Sequence, residues 1–172
     1  MGFLTGNAKT EWLPDTTVVL LEDVMYQDGD NLYTIPVGYV SDGASVPRAL
    51  SWLYPKYGAY LKAAIVHDYL LTDKLDEMES NRIDEIFKEA MADLDIPKIR
   101  QWTMWCGVRI GAIFNKRRRK GSLKTLPKVA LISLILFPYV FTPAVTISFR
   151  LGLMWLISQV LPKRQKVTAH KT

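Results

Sequence analysis

The chain has 172 residues, 49% of them hydrophobic, which suits one domain with a real core and room for an appendage. All 17 acidic residues precede position 116, where ten Lys or Arg leave a net charge near −7, whereas residues 116–172 carry twelve Lys or Arg and no acid. The net +5 thus hides an acidic body and a basic, apolar tail, and the single cysteine, Cys106, excludes an intramolecular disulfide.

The first residues, MGFLTGNAKTEW, have neither the basic start nor the apolar run of a signal peptide, and Gly6 stands where a myristoylation pattern needs Ser or Thr. Cytoplasmic synthesis and retention is the expectation, unless the C-terminal region or a carrier structure moves the protein. Residues 16–40 read as extended. TTVVLLEDVMYQ is rich in β-branched residues, QDGDN is a turn signal and LYTIPVGYV resumes the strand, which predicts a β-hairpin. SDGASVPR then marks a loop.

Three helices are expected next. The first runs from Tyr57 to about Leu71, with Tyr60, Ala63, Ala64 and Leu71 at helical spacing, and DKLDE breaks it. The second runs from about Glu79 to Leu94, with Ile83, Ile86, Phe87, Ala90 and Met91 on one face, and ends at DIPK. The third, Ile99 to about Asn115, carries Trp102, Trp105, Val108 and Ile113.

The tail changes character at KRRRKGSLK, residues 116–124. Residues 129–149 are 21 consecutive uncharged residues, long enough to span a bilayer, followed by LGLMWLISQVLP and a second basic cluster, KRQK. Basic residues on both flanks, with Pro138 and Pro143 inside, predict a helical hairpin with both ends on the cytoplasmic side. The competing reading makes residues 129–161 buried helices of a soluble domain. KRRRK lacks interleaved aromatics for stacking bases, so contact with anionic lipid headgroups is expected and nucleic acid is not. The fold class is therefore α+β. A body of residues 1–115 packs the hairpin on about three helices, followed by a basic linker (116–128), a membrane-inserting helical hairpin (129–161) and a basic tail (162–172).

The stretch AAIVHDYLLTD places His67 and Asp68 at the centre of an apolar helix, where unpaired polar groups cost several kcal/mol. Adjacent helical residues diverge by about 100°, so the two serve different partners. An antiparallel second helix would bring Asp84 opposite His67, fixing its tautomer and leaving the other ring nitrogen as a base. Asp42, in the SDGAS loop, would meet Asp68, and two carboxylates with loop carbonyls are hard oxygen ligands suited to Ca²⁺. A base, its orienting acid and an oxygen-lined cation site would together deliver water to an ester. The alternative makes His67 and Asp84 a buried helix-pairing device, with Asp42 as a cap and Asp68 paired with Arg48 or Arg82.

IPVGYVSDGASVPR, AAIVHDYLL and SNRIDEIFKEAM, in this order over roughly residues 11–95, resemble the phage- and prophage-associated family catalogued as domain of unknown function 1353. The Asp loop, the HD helix and the RID helix followed by Phe also resemble the secreted prokaryotic phospholipase A(2) enzymes. That likeness implies Asp42 and Asp68 as calcium ligands, His67 as general base and Asp84 as its orienting residue. Leu71 stands where those enzymes place a Tyr four residues after the His, and Ala44 where they have a loop cysteine. The resemblances imply a phage-encoded hydrolase of lipid esters at the cytoplasmic face of the host membrane, or a non-enzymatic component of virion or membrane that meets phage structural proteins. A hydrolase directed at peptidoglycan is a further alternative.

Overall fold

The structure is a computed structural model that describes residues 2–5, 7–14, 17–43, 58–76 and 78–160. Among them are the short strands β1 (Gly2–Phe3), β2 (Thr10–Trp12), β3 (Val18–Leu20), β4 (Val24–Asp28), β5 (Asn31–Ile35) and β6 (Val40–Ser41). They are followed by helices α1 (Leu61–Asp73), α2 (Ser80–Asp93), α3 (Lys98–Phe114), α4 (Arg119–Lys124) and α5 (Leu126–Val160). The fold is α+β, and the chain divides into two compact units, residues 1–133 and 134–172.

The expected hairpin is β4–β5, paired from Val24↔Ile35 to Asp28↔Asn31. Its two-residue loop opens with Gly29 at φ 59°, the positive φ that a twisted hairpin turn requires and glycine adopts without strain. Val24, Tyr26, Tyr33 and Ile35 alternate inward and are buried. The strands make two antiparallel three-stranded sheets, in the orders β1-β4-β5 and β2-β3-β6. The partners β1 and β2 come from the N-terminal stretch. Lys62 of α1 fastens that stretch by donating to the Thr5 carbonyl at 2.6 Å and lying over the Phe3 ring.

Helix α1 is the centre of the first unit. Ala63, Ala64, Ile65, Val66, His67 and Leu70 are all buried, so it is enclosed on nearly every side rather than along one stripe. Helix α2 is amphipathic, burying Ile83, Asp84, Ile86, Phe87, Ala90 and Met91. Helix α3 buries Met104, Trp105, Cys106, Arg109 and Ala112. The basic run is not a bare linker, because part of it folds into α4, and Gly121 lets that helix approach α2 closely. A Cβ at Gly121 would lie 2.8 Å from Asn81 Oδ1. The start of α5 also belongs to this unit, with Val129 buried against Trp105 and Cys106.

The expected helical hairpin over 129–161 is instead one continuous helix, α5, with Pro138 and Pro143 inside it. Each proline removes a single backbone hydrogen bond. A turn would free up to four N–H and four C=O groups, and residues 129–151 hold no Gly, Asn or Asp to cap them. Thr146 further satisfies local carbonyls, donating to those of Thr142 (2.8 Å) and Pro143 (3.0 Å).

Ile86 is fully buried in the main core cluster, whereas Leu32 is exposed on the hairpin. Ile86→Ala should lower unfolding free energy by about 2–5 kcal/mol in a denaturant titration, and Leu32→Ala by less than about 0.5 kcal/mol.

Candidate functional site

Helix α1 sends its two central polar residues to different places. His67, 9% exposed, points toward α2, where its Nε2 lies 2.8 Å from Asp84 Oδ1 and its ring packs at 4.7 Å on Phe87. Asp84 is 0% exposed and receives more than the histidine. Arg109 Nη1 donates to Oδ2 at 2.9 Å, and Arg118 Nη2 donates to Oδ1 at 2.5 Å. A carboxylate that accepts from two guanidiniums is ionised and has no proton to give, so Nε2 is the donor in the His67 bond. Burial alone would raise the Asp84 carboxyl, but the His67 hydrogen bond, the Arg118 charge and the Arg109 hydrogen bond outweigh it and hold the group below its ordinary range.

The two arginines are themselves anchored. Arg109 Nε donates to Thr125 Oγ1 at 3.1 Å and its Nη2 to the Gly121 carbonyl at 3.1 Å. Arg118 Nε donates to Ser80 Oγ at 2.8 Å. The cluster thereby joins α1, α2, α3, α4 and the α4–α5 junction. The signal for Arg109 was present in TMWCGVRIGAIF, a lone charge in an apolar helix. Arg118 had no such signal, because nothing in the run KRRRK separates an inward arginine from its neighbours.

Asp68 takes the other direction, toward the turn that follows β6. Ser41 and Tyr39 hydrogen-bond its carboxyl, and Tyr39 stacks edge-on against Tyr69 at 5.5 Å. The turn includes Gly43, with a φ of 70° and an N–H that donates to Ser41 Oγ at 3.0 Å, and Asp42 within it is exposed. Burial raises the Asp68 carboxyl, and after the opposing Ser41 bond the next cause is the Asp42 charge, which raises it further. The two carboxylates are close enough to repel. Tyr39 is likewise pushed up to about 12, first by burial. Arg82 is engaged elsewhere, with Asp28 at 2.5 Å and Glu89 at 3.2 Å, so it is not the partner of Asp68. Arg48 lies outside the described residues.

No group of three or more His, Cys, Asp or Glu side chains among the described residues is placed to hold a metal. A cation at Asp42 and Asp68 would therefore complete its shell with hydroxyl, carbonyl and water oxygens. The local set, two repelling carboxylates beside the Ser41 and Tyr39 hydroxyls, is all oxygen and fits Ca²⁺ rather than a softer metal.

The family described as Protein of unknown function (DUF1353) matches residues 18–108, more than half of the chain. No curated protein and no solved structure matches the chain significantly.

The two aspartates have opposite effects on stability. The folded-state value of Asp84 is depressed, so its contribution is present above the unfolded value near 3.9 and disappears as pH falls through the folded one. Asp84→Ala strands two buried guanidiniums and should cost about 3–5 kcal/mol at pH 7. The folded-state value of Asp68 is raised, so its ionised form carries a penalty above that value which vanishes below about pH 4. Asp68→Asn should match or exceed the melting temperature of the unaltered chain at pH 7 and lose that advantage by pH 4. Thermal scans at the two pH values check both signs.

Proposed function

The chain belongs to the DUF1353 family of proteins of unknown function, and from that footing we propose that its body is a calcium-dependent hydrolase of phospholipid esters, encoded by a phage or prophage and held on the host membrane by α5. The observation that carries the reading is the division of labour on α1, where His67 is bound to a buried carboxylate and Asp68 is held by the Ser41 and Tyr39 hydroxyls within the field of Asp42. A core histidine needs one partner and nothing more. It does not need a half-buried carboxylate beside it, kept next to a second one.

In this reading the Nε2–H donated to Asp84 leaves His67 Nδ1 with the lone pair. That nitrogen takes a proton from water as the water oxygen adds to the ester carbonyl carbon. It returns the proton to the departing alkoxide as the acyl C–O bond breaks, giving a fatty acid and an alcohol. Asp84 holds the ring in place through both halves of the cycle, and its arginines hold Asp84. Ca²⁺ bound at Asp42 and Asp68 would stabilise negative charge on the carbonyl oxygen.

The anchoring role rests on length and composition. The most apolar 18-residue window within Leu126–Gln159 has a mean hydropathy of 2.0, and none of that window is buried. At 1.5 Å per residue, residues 134–149, the uncharged stretch beyond the body, are roughly 24 Å long, so a span would run on past Arg150 into the apolar residues that follow it. Seven basic residues between 116 and 128 favour the cytoplasmic side for the body, where phage structural proteins would meet it. The doubly bonded Asp84 favours a second reading, in which the cluster only clamps helices and the protein is a docking component of virion or membrane.

Calcium separates the two. With Ca²⁺ at 100 times its dissociation constant, the full chain in detergent should gain about 2.7 kcal/mol of stability in thermal scans. Asp42→Asn and Asp68→Asn should each abolish the gain, and His67→Asn should keep it. No stabilisation by millimolar Ca²⁺ would favour the docking component.

A further inference from the structure

The strand at the edge of the second sheet, β6, brings two hydroxyls to one carboxylate. Side chains alternate along an extended chain, and the stretch through β6 keeps that period, with Tyr39 half-buried, Val40 exposed, Ser41 buried, Asp42 exposed and Gly43 buried. Tyr39 and Ser41 thus face the same way, and both hydrogen-bond the Asp68 carboxyl on α1. Ser41 Oγ already accepts the Gly43 N–H at 3.0 Å, so its one hydrogen goes to Asp68. The Thr72 hydroxyl, one turn along α1 from Asp68, is a second partner of the Tyr39 phenol and also lies 3.0 Å from the Asp68 carbonyl oxygen.

The backbone and the core place Tyr39 independently of Asp68. Gly38, at a φ of 83°, turns the chain ahead of it. The Tyr39 N–H donates to the Pro36 carbonyl at 3.1 Å, and its own carbonyl accepts from the Leu20 N–H at 3.0 Å. Its ring meets Tyr69 edge-on at 5.5 Å, and both rings pack against the main core cluster.

We propose that Tyr39 is a positioning residue of the calcium site, its hydroxyl holding the Asp68 carboxylate in the orientation that shares a cation with Asp42. The proposal rests on the calcium-binding role given to Asp42 and Asp68, and it adds a group that sets their affinity. A carboxylate free to rotate turns away from a like charge, because the repulsion acts before any cation arrives to relieve it. An O–H donated to a carboxylate is a charge-assisted bond, stronger than a neutral one, and here it opposes that rotation. Each carboxylate oxygen has two lone pairs, so the Ser41 and Tyr39 bonds leave others for a metal. Ca²⁺ would then meet a ligand already set in place.

Titration calorimetry with Ca²⁺ on the full chain in detergent tests this. Tyr39→Phe keeps the ring and removes only the hydroxyl, and it should weaken Ca²⁺ binding by about 10–100-fold while keeping a thermal transition in the absence of the metal. Tyr26→Phe controls for loss of a phenol hydrogen bond elsewhere in the body, since the Tyr26 hydroxyl donates to Asp93 at 3.2 Å. It should lower the melting temperature and leave Ca²⁺ affinity unchanged. Equal or tighter binding by Tyr39→Phe would overturn the proposal, and so would an equal loss in Tyr26→Phe, which would make the effect one of general stability. Should Tyr39→Phe show no transition, Thr72→Val at the exposed Thr72 takes its place, with severalfold weaker binding expected and unchanged binding contradicting the proposal. No binding by the unaltered chain would overturn the calcium site and this proposal together, whereas binding that is indifferent to Tyr39 overturns the proposal alone.

Discussion

A single carboxylate, Asp84, sets the terms for the rest of the body. It has no exposed surface, and an ion of that kind is tolerated only when its charge is matched and its lone pairs are filled. Oδ1 takes His67 and Arg118, and Oδ2 takes Arg109. Two guanidiniums against one carboxylate leave a surplus positive charge, and it is solvated from within by the Ser80 hydroxyl, the Gly121 carbonyl and the Thr125 hydroxyl. Each of those oxygens sits on a different segment, so satisfying one buried charge fixes α1, α2, α3, α4 and the start of α5 against one another. Close packing reinforces the arrangement, as at Gly121, where a Cβ would press on the end of the Asn81 side chain.

Against that satisfied centre stands a strained edge. One residue along α1 from His67, Asp68 is pushed up by burial and by Asp42, and the Ser41 and Tyr39 hydroxyls and the His67 charge offset this only in part. Stability alone gives no reason to keep such a carboxylate. A polar site in which one aspartate stabilises the fold and its neighbour strains it is the pattern expected where function, rather than folding, selects the second residue.

Much of this was legible in the residues. The β4–β5 hairpin followed from alternating β-branched residues about a Gly-containing turn, and α2 from its apolar stripe, because both patterns reflect burial on one side. Helix α1 gave a weaker period because it is buried nearly all round, and its observed start lies at Leu61 rather than near Tyr57. Strands β1 and β2, GF and TEW, are too short for any pattern, since their pairing partners define them. The hairpin expected in the tail overweighted two prolines and underweighted the absence of capping residues. At the site, HD inside an apolar helix announced the need for partners, and Asp84 was findable as that of His67, while Asp68 takes the Ser41 and Tyr39 hydroxyls rather than a residue singled out in the sequence. The arginines were not findable, because their role depends on which side of a basic turn faces inward.

The proposed chemistry stands on His67 acting as a base at a calcium-dependent site, and release of fatty acid reports on that most directly. The full chain reconstituted with anionic phospholipid is assayed with Ca²⁺, with a chelator, and as His67→Asn. The proposed function predicts release with Ca²⁺, none above background with the chelator, and none from His67→Asn, whose fold is confirmed by its thermal transition. Equal release from the unaltered chain and His67→Asn, or no release from either in the presence of Ca²⁺, would contradict it and leave the His67–Asp84 pair as a clamp between helices.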